Sequence, residues 1–217
     1  RSRRDGLIAI NLRDDDALLN VRRVREGDKI ILATTAGKAI MFSEEQVRAT
    51  GRDTSGVRGI GMKDGVSVLG MEVTNGNGDL FVITERGYGK RTPLADHPKH
   101  GRRSQGQIAI MTSERNGELV AATLVNVEDT VLVLTNNGRM IRTTVESIRQ
   151  SGRATQGVKL METLDETVVS VTRVANEDSE DVSTDAESHG ASALAAETIA
   201  DSGEFPVPAS DENGENK

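Results

Sequence analysis

Two independent series of glycines keep one period along this chain, and few architectures are compatible with that. Gly6, Gly56, Gly106 and Gly157 each precede a short apolar stretch, at steps of 50, 50 and 51 residues. Gly37, Gly87 and Gly138 mark a second landmark, in TTAGKAIMF, TERGYGKRT and TNNGRMIRT, at steps of 50 and 51. Self-similarity at such a period belongs to blade or solenoid arrays, in which each unit buries its apolar faces only against its neighbours.

Within a repeat the same order of elements recurs. A basic loop opens it: RSRRDG at 1 to 6, GRDTSG at 51 to 56, GRRSQG at 101 to 106 and GRATQG at 152 to 157. A short first strand is expected next, in LIAINL, VRGIGM, QIAIMT and VKLMET, followed by a polar turn. The second strand alternates apolar and polar positions, most clearly in VSVLGMEV at 66 to 73 and TVVSVTRV at 167 to 174, a period of two that argues strand over helix. The third strand is apolar at consecutive positions, in KIILAT at 29 to 34, DLFVIT at 79 to 84 and TVLVLT at 130 to 135. Without helices to cover it, such a strand requires sheets stacked face to face, as propeller blades are. The landmark glycines Gly37, Gly87 and Gly138 then supply a hairpin turn, where positive φ is needed. Ser43 with Gln46 and Thr143 with Glu146 have capping-box spacing, and Pro93 suits a first helical turn, so a brief helical turn is expected after each hairpin.

Charge becomes informative once the chain is divided. Residues 1 to 174 hold 26 Lys+Arg against 22 Asp+Glu, a balance of +4, whereas 175 to 217 hold one Lys and 12 acids, a balance of −11. The expected organisation is therefore a body of blades at 1–174 and an acidic tail at 175–217 whose apolar content is too low to offset ordering entropy, a disordered segment. Two roles are open for that tail: competition with a polyanion for the body, or solubilisation. The chain starts at Arg1 inside a repeat, which reads as part of something longer. No run has the length of a membrane span and no signal peptide opens the chain, so a cytoplasmic location without a membrane partner is expected.

The candidate site is cationic. If blades share an axis, elements of equal phase share an edge, and Arg52, Arg102, Arg103 and Arg153 line one perimeter, with Arg58, Lys90, Arg91, Arg139 and Arg142 extending it. Positive charge at regular intervals suits the phosphates of bent duplex DNA with little reading of bases; ordinary solvated turns are the plain alternative. Only four aromatics occur, Phe42, Phe81, Tyr88 and Phe205, too few for single-strand stacking. Tyr88 is expected to pack at its hairpin tip or touch DNA rather than serve as a nucleophile. His97, His100 and the acids at 14 to 16 show no ligand pattern, and no catalytic residue, metal site or cofactor site is read in this stretch. A propeller that binds protein partners through an exposed apolar face is the rival class.

The motifs GRDTSGVRGI at 51 to 60, GYGKRT at 87 to 92, GRRSQGQIAI at 101 to 110 and GRATQGVKL at 152 to 160 resemble the carboxy-terminal domain of the bacterial DNA gyrase A protein over essentially all of 1 to 174. The resemblance implies an all-β pinwheel, an incomplete ring of about 50-residue, four-stranded blades with strands exchanged between neighbours and DNA bent around the basic outer edge. It also implies a holoenzyme that uses ATP and Mg2+ to introduce negative supercoils, with gyrase B and the rest of gyrase A as partners in an A2B2 assembly and the catalytic tyrosine elsewhere. The family's QRRGGKG-type box is absent; GRRSQGQ at 101 to 107 is its nearest counterpart, so Arg102 and Arg103 carry over as DNA contacts but not as the box. The related protein of topoisomerase IV is the alternative within the same fold.

Overall fold

The computed structural model describes residues 6–13 and 16–176. Asp14, Asp15 and the acidic tail after Asn176 lie outside the described residues. The strands, in chain order, are β1 (Lys29–Thr34), β2 (Lys38–Ser43), β3 (Val68–Thr74), β4 (Asp79–Thr84), β5 (Tyr88–Pro93) and β6 (Gln107–Ile108). They continue with β7 (Leu119–Val125), β8 (Thr130–Thr135), β9 (Met140–Thr144), β10 (Val158–Lys159) and β11 (Val168–Val174). Three sheets result, with strand orders β3-β1-β2-β6, β10-β5-β4-β7 and β11-β8-β9, and every strand pairing within them is antiparallel. Among the described residues no helix is long and apolar enough to cross a membrane.

Each sheet is centred on one of the expected hairpins, but no sheet is made from one repeat. The hairpin comes from one repeat, the strand beside its first arm from the next, and the outer strand of the first two sheets from the repeat after that. Gly37, Gly87 and Gly138 turn the hairpins with φ of 72°, 74° and 82°. In the first two blades a second constraint acts there, because the incoming chain crosses the turn: Ala109 N–H donates to Gly37 O at 2.9 Å and Leu160 N–H to Gly87 O at 2.8 Å. A Cβ at Gly87 would stand 2.5 Å from the carbonyl oxygen of Met161, whereas one at Gly138 would meet nothing within 4 Å.

That crossing corrects the length of the expected first strands. Of QIAIMT and VKLMET only Gln107–Ile108 and Val158–Lys159 are strand. The following residues bend over the hairpin turn, so Ala109 and Ile110 enter the core instead of continuing a ladder. LIAINL and VRGIGM form no strand, since no hairpin arm among the described residues lies beside them.

The core sits between blades. Along β4 alternate side chains face opposite ways: Leu80 and Val82 join Ile31, Met41, Leu94 and Ile110 on one side, and Phe81 and Ile83 join Val125, Val131, Val133, Val145 and Ile148 on the other. All six residues of β4 are buried, because a blade lies on each face. β8 has a blade on one face only and alternates between half-buried and buried. Full burial of a side chain such as Leu80 or Ile83 contributes roughly 1.5–3 kcal/mol, so stacking is what makes these sheets stable.

The brief helical turns are present, as 3-10 turns at Glu44–Gln46, Leu94–Asp96 and Val145–Ser147. The capping boxes are not. Ser43 makes no capping bond and its hydroxyl donates to the Glu44 carboxylate at 2.9 Å. Thr144 rather than Thr143 precedes the third turn, and Pro93 precedes the second instead of lying within it. One turn of 3-10 helix exposes too few free amides for a reciprocal box.

Candidate nucleic-acid interface

The second strands of successive repeats, β3, β7 and β11, lie against one another, so they form the inner side of the fan. β6 and β10 are at the opposite edge of their sheets. The basic loops 101 to 106 and 152 to 157 lead straight into these outer strands. Gly106 and Gly157 close the loops: with φ of 67° and 76° they bring the chain so near the hairpin's returning arm that a Cβ would stand 2.5 Å from Ala39 O and 2.7 Å from Gly89 O. At Gly106 and Gly157 the recurrence is thus a close-approach requirement, since no side chain fits there, whereas Gly6 and Gly56 share with them only a positive φ, of 68° and 74°.

The loops are also joined in series. Asn11 N–H donates to Thr54 O at 2.9 Å, and the Asn11 amide to the Asp53 carboxylate at 2.8 Å. Residues leaving that loop reach the next: Gly61 N–H donates to Ser104 O at 2.8 Å and Arg103 N–H to Gly59 O at 2.9 Å. Residues leaving the second reach the third, through Met111 N–H and Thr155 O at 2.9 Å. Loops 51 to 56, 101 to 106 and 152 to 157 are thus linked in series through the residues that leave each one, and this linked series is the candidate ridge.

Arg52, Arg102, Arg103 and Arg153 lie in these loops and Arg58 just past the first of them, and the side-chain contact formed within this set is that of Arg102 with Arg58. Arg52, Arg58 and Arg103 are exposed, and Arg102 and Arg153 half-buried. Arg102 donates from Nη1 to the carbonyl of Arg58 at 3.1 Å, and its backbone N–H to Gln46 Oε1 at 3.0 Å. Arg103 has φ of 75°, a left-handed conformation uncommon for a side-chain-bearing residue. Arg139 and Arg142 stand elsewhere, on the third hairpin. Arg142 is exposed on β9, while Arg139 is tied to the Glu162 carbonyl and to the Glu166 carboxylate at 3.3 Å.

Lys90 and Arg91 do not extend the ridge surface, a correction to their expected place. Lys90 is 0 % exposed, and its Nζ donates to the carbonyls of Gly152 and Arg153, each at 2.5 Å. Burial, and secondarily the nearby Arg153 charge, lowers its pKa to about 8. Arg91 pairs with Asp79 at 2.6 Å and donates from Nε to Ile148 O at 2.9 Å. With Thr92, whose hydroxyl donates to Ser151 O at 2.8 Å, this KRT triplet clamps the connection 148 to 153 from beneath. A charged triplet beside a turn reads as surface; its carbonyl acceptors lie 57 to 63 positions downstream, so no local pattern gives its clamping role away.

Tyr88 is 8 % exposed and packed. Its hydroxyl accepts from Arg115 Nε at 3.2 Å, and the Arg115 and Lys159 charges stand 5.1 and 5.6 Å from the ring centre. His97 is buried with Nε2 unpartnered. Burial, followed by the charges of Arg153 and Lys90, lowers its pKa to about 4. The exposed cations Arg48 and Arg149, in equivalent connections, also stand ahead of the basic loops; their spacing, about two repeats apart, was the available signal.

Comparison with known proteins follows the same blade units. The family described as DNA gyrase C-terminal domain, beta-propeller, matches residues 1–25, 28–75, 78–126 and 129–175. The segment 28–75 spans β1, β2 and β3, the contiguous part of one blade. The DNA gyrase A protein of Salmonella typhimurium (strain LT2) is 42% identical over 176 residues, covering 81% of this chain and 20% of the relative. The DNA gyrase A protein of Staphylococcus aureus (strain NCTC 8325) is 39% identical over 183 residues, covering 83% and 21%. The chain thus spans about a fifth of the length of these curated relatives. The solved DNA gyrase A C-terminal domain superposes with TM-score 0.72 at 26% identity, over 79% of this chain and 59% of that one. The solved C-terminal domain of DNA topoisomerase IV gives TM-score 0.72 at 25% identity, over 76% and 52%. With four consecutive matched segments laid over stacked, strand-exchanged blades, this chain belongs to the DNA gyrase C-terminal domain, beta-propeller, family.

Proposed function

We propose that the ridge of basic loops binds duplex DNA through its phosphates and bends it along the outer edge of the blades. The observation that supports this reading is the serial hydrogen bonding in which the chain leaving each of the loops 51 to 56 and 101 to 106 bonds to the next basic loop, an arrangement suited to arginines from three repeats along one border. Phosphate contacts at intervals position DNA without reading its sequence. In the whole protein this segment acts as the DNA-wrapping part of gyrase A, within DNA gyrase, a cytoplasmic, chromosome-associated type IIA topoisomerase. Gyrase B and the remainder of gyrase A are its partners in an A2B2 assembly, and ATP with Mg2+, used elsewhere in that assembly, drives negative supercoiling. Family membership and the names of the relatives support that wider role.

The test is charge reversal of Arg52, Arg103 and Arg153 together, with DNA affinity measured across a salt series. Each phosphate contact contributes about 0.9 to the log-log slope. A slope lower by about 2 to 3, on duplexes of unrelated sequence alike, is the expected result; unchanged slope and affinity remove the reading.

The topoisomerase IV reading has an equal TM-score and the same ridge serves it, but the relatives at 42% and 39% identity are gyrase A proteins, which favours the gyrase reading. The protein-scaffold reading requires an exposed apolar face, and Leu7, Ile8, Leu18, Leu19 and Val21 are exposed at 53 to 73%. These residues occupy repeat positions that are outer strand (β6, β10) or inner strand (β3, β7, β11) elsewhere. Their exposure follows from unpaired blade strands rather than from a separate docking face.

A further inference from the structure

Counting residues from the hairpin glycine, the third position is Ile40 in the first repeat, Lys90 in the second and Ile141 in the third. Ile40 is 1 % exposed and Lys90 0 % exposed, so an ammonium occupies an apolar slot. A buried ammonium costs free energy unless its hydrogen bonds are met. Here they go outward, to Gly152 O and Arg153 O of the basic loop. The first blade holds its loop differently: Gln46 donates to His100 O at 3.4 Å and accepts from Arg102 N–H at 3.0 Å. The residue at Gln46's place in the second blade is Asp96, a carboxylate that cannot donate to a loop carbonyl.

We propose that Lys90 is a positioning residue for the nucleic-acid ridge: its buried ammonium grips the backbone of Gly152 and Arg153 and holds the second blade's arginine in register with those of the first. This rests on the DNA-binding reading above. Its physical content is a division of labour, with one cation giving up solvent so that the neighbouring cation stands at the border. The grip is backbone-directed, so it is indifferent to which side chain occupies position 153. Removing it releases two carbonyls into a half-exposed loop, where water replaces the lost donor.

The discriminating variant is Lys90→Ile, which installs the side chain already accommodated at the equivalent slots. Burying an ammonium is costly in itself, and the two carbonyls left behind lie in a half-exposed loop open to water, so the thermal midpoint is expected to hold or rise. In the full chain, hydrogen exchange of the amides of 150 to 156 is expected to quicken at least tenfold while β4 and β5 keep their protection. DNA affinity is expected to fall, with a salt slope lower by about 0.9, the share of one phosphate contact. Arg153→Ala is expected to lower it by the same amount, and the double variant by no more than either single one. Unchanged exchange in 150 to 156, or fully additive losses in the double variant, overturns the positioning role. Faster exchange with DNA binding insensitive to Lys90→Ile, Arg153→Ala and the triple charge reversal alike leaves the grip standing and sinks the DNA reading instead. A stable, well-folded Lys90→Ile protein with weakened DNA binding is an outcome that a merely structural lysine does not produce.

Discussion

Lys90 and His97 show how single residues in a repeat can leave the pattern around them. Val47, His97 and Ile148 each follow a 3-10 turn, and the middle blade alone puts an imidazole there. Its ordinary pKa of 6.5 is lowered to about 4 by burial and by the Arg153 and Lys90 charges. Between those values the unfolded chain binds a proton that the folded chain refuses. Stability from this residue is therefore complete above about pH 6.5 and lost as the pH falls toward 4. His97→Val, measured by urea unfolding at pH 7 and pH 4.5, is expected to lose about 2 kcal/mol less than the parent chain over that interval. Parallel losses in both proteins contradict the assignment. Neither role was legible in sequence, because a Lys or His near a turn looks like surface until the downstream loop is folded onto it.

The elements were legible where one local rule decides them. DLFVIT announces β4 because both faces must be apolar when a blade lies on each side, and the turn glycines announce the hairpins because φ must be positive. The first strands stop short of their apolar runs because the run in QIAIMT continues past Ile108 while the ladder does not: Ala109 and Ile110 both bond to Gly37 O. The turn glycines offer a graded test. Gly138→Ala meets no atom within 4 Å but keeps φ of 82°, so only backbone strain applies, about 1 kcal/mol. Gly87→Ala adds a clash with Met161 O and is expected to cost about 3 kcal/mol in all. Equal thermal shifts for the two variants contradict the idea that the crossing chain constrains Gly87.

At the scale of the molecule, strand exchange and the ridge have one cause. Because a repeat gives its first strand to a blade two steps back and its second to a blade one step back, the connecting loops must pass along the outer edge, each touching the one before. Periodicity in the sequence shows that the loops share a phase; only the fold shows that each is bonded to the chain of the repeat before it, through Asn11 with Thr54, Gly59 and Gly61 with Arg103 and Ser104, and Met111 with Thr155.

The chain has no cysteine, and Gly51, Gly101 and Gly152 open successive basic loops with nothing within 4 Å of an added Cβ. Pairs of cysteines at these three positions, each carrying a DNA-cleaving reagent, measure the DNA path whatever register the duplex adopts. Two cuts on one duplex are expected to release a fragment of defined length for Gly51→Cys/Gly101→Cys and for Gly101→Cys/Gly152→Cys. For Gly51→Cys/Gly152→Cys the fragment is expected to be close to the sum of those two. Fragments without a preferred length, or a Gly51→Cys/Gly152→Cys fragment no longer than the others, contradict a single duplex laid along one ridge.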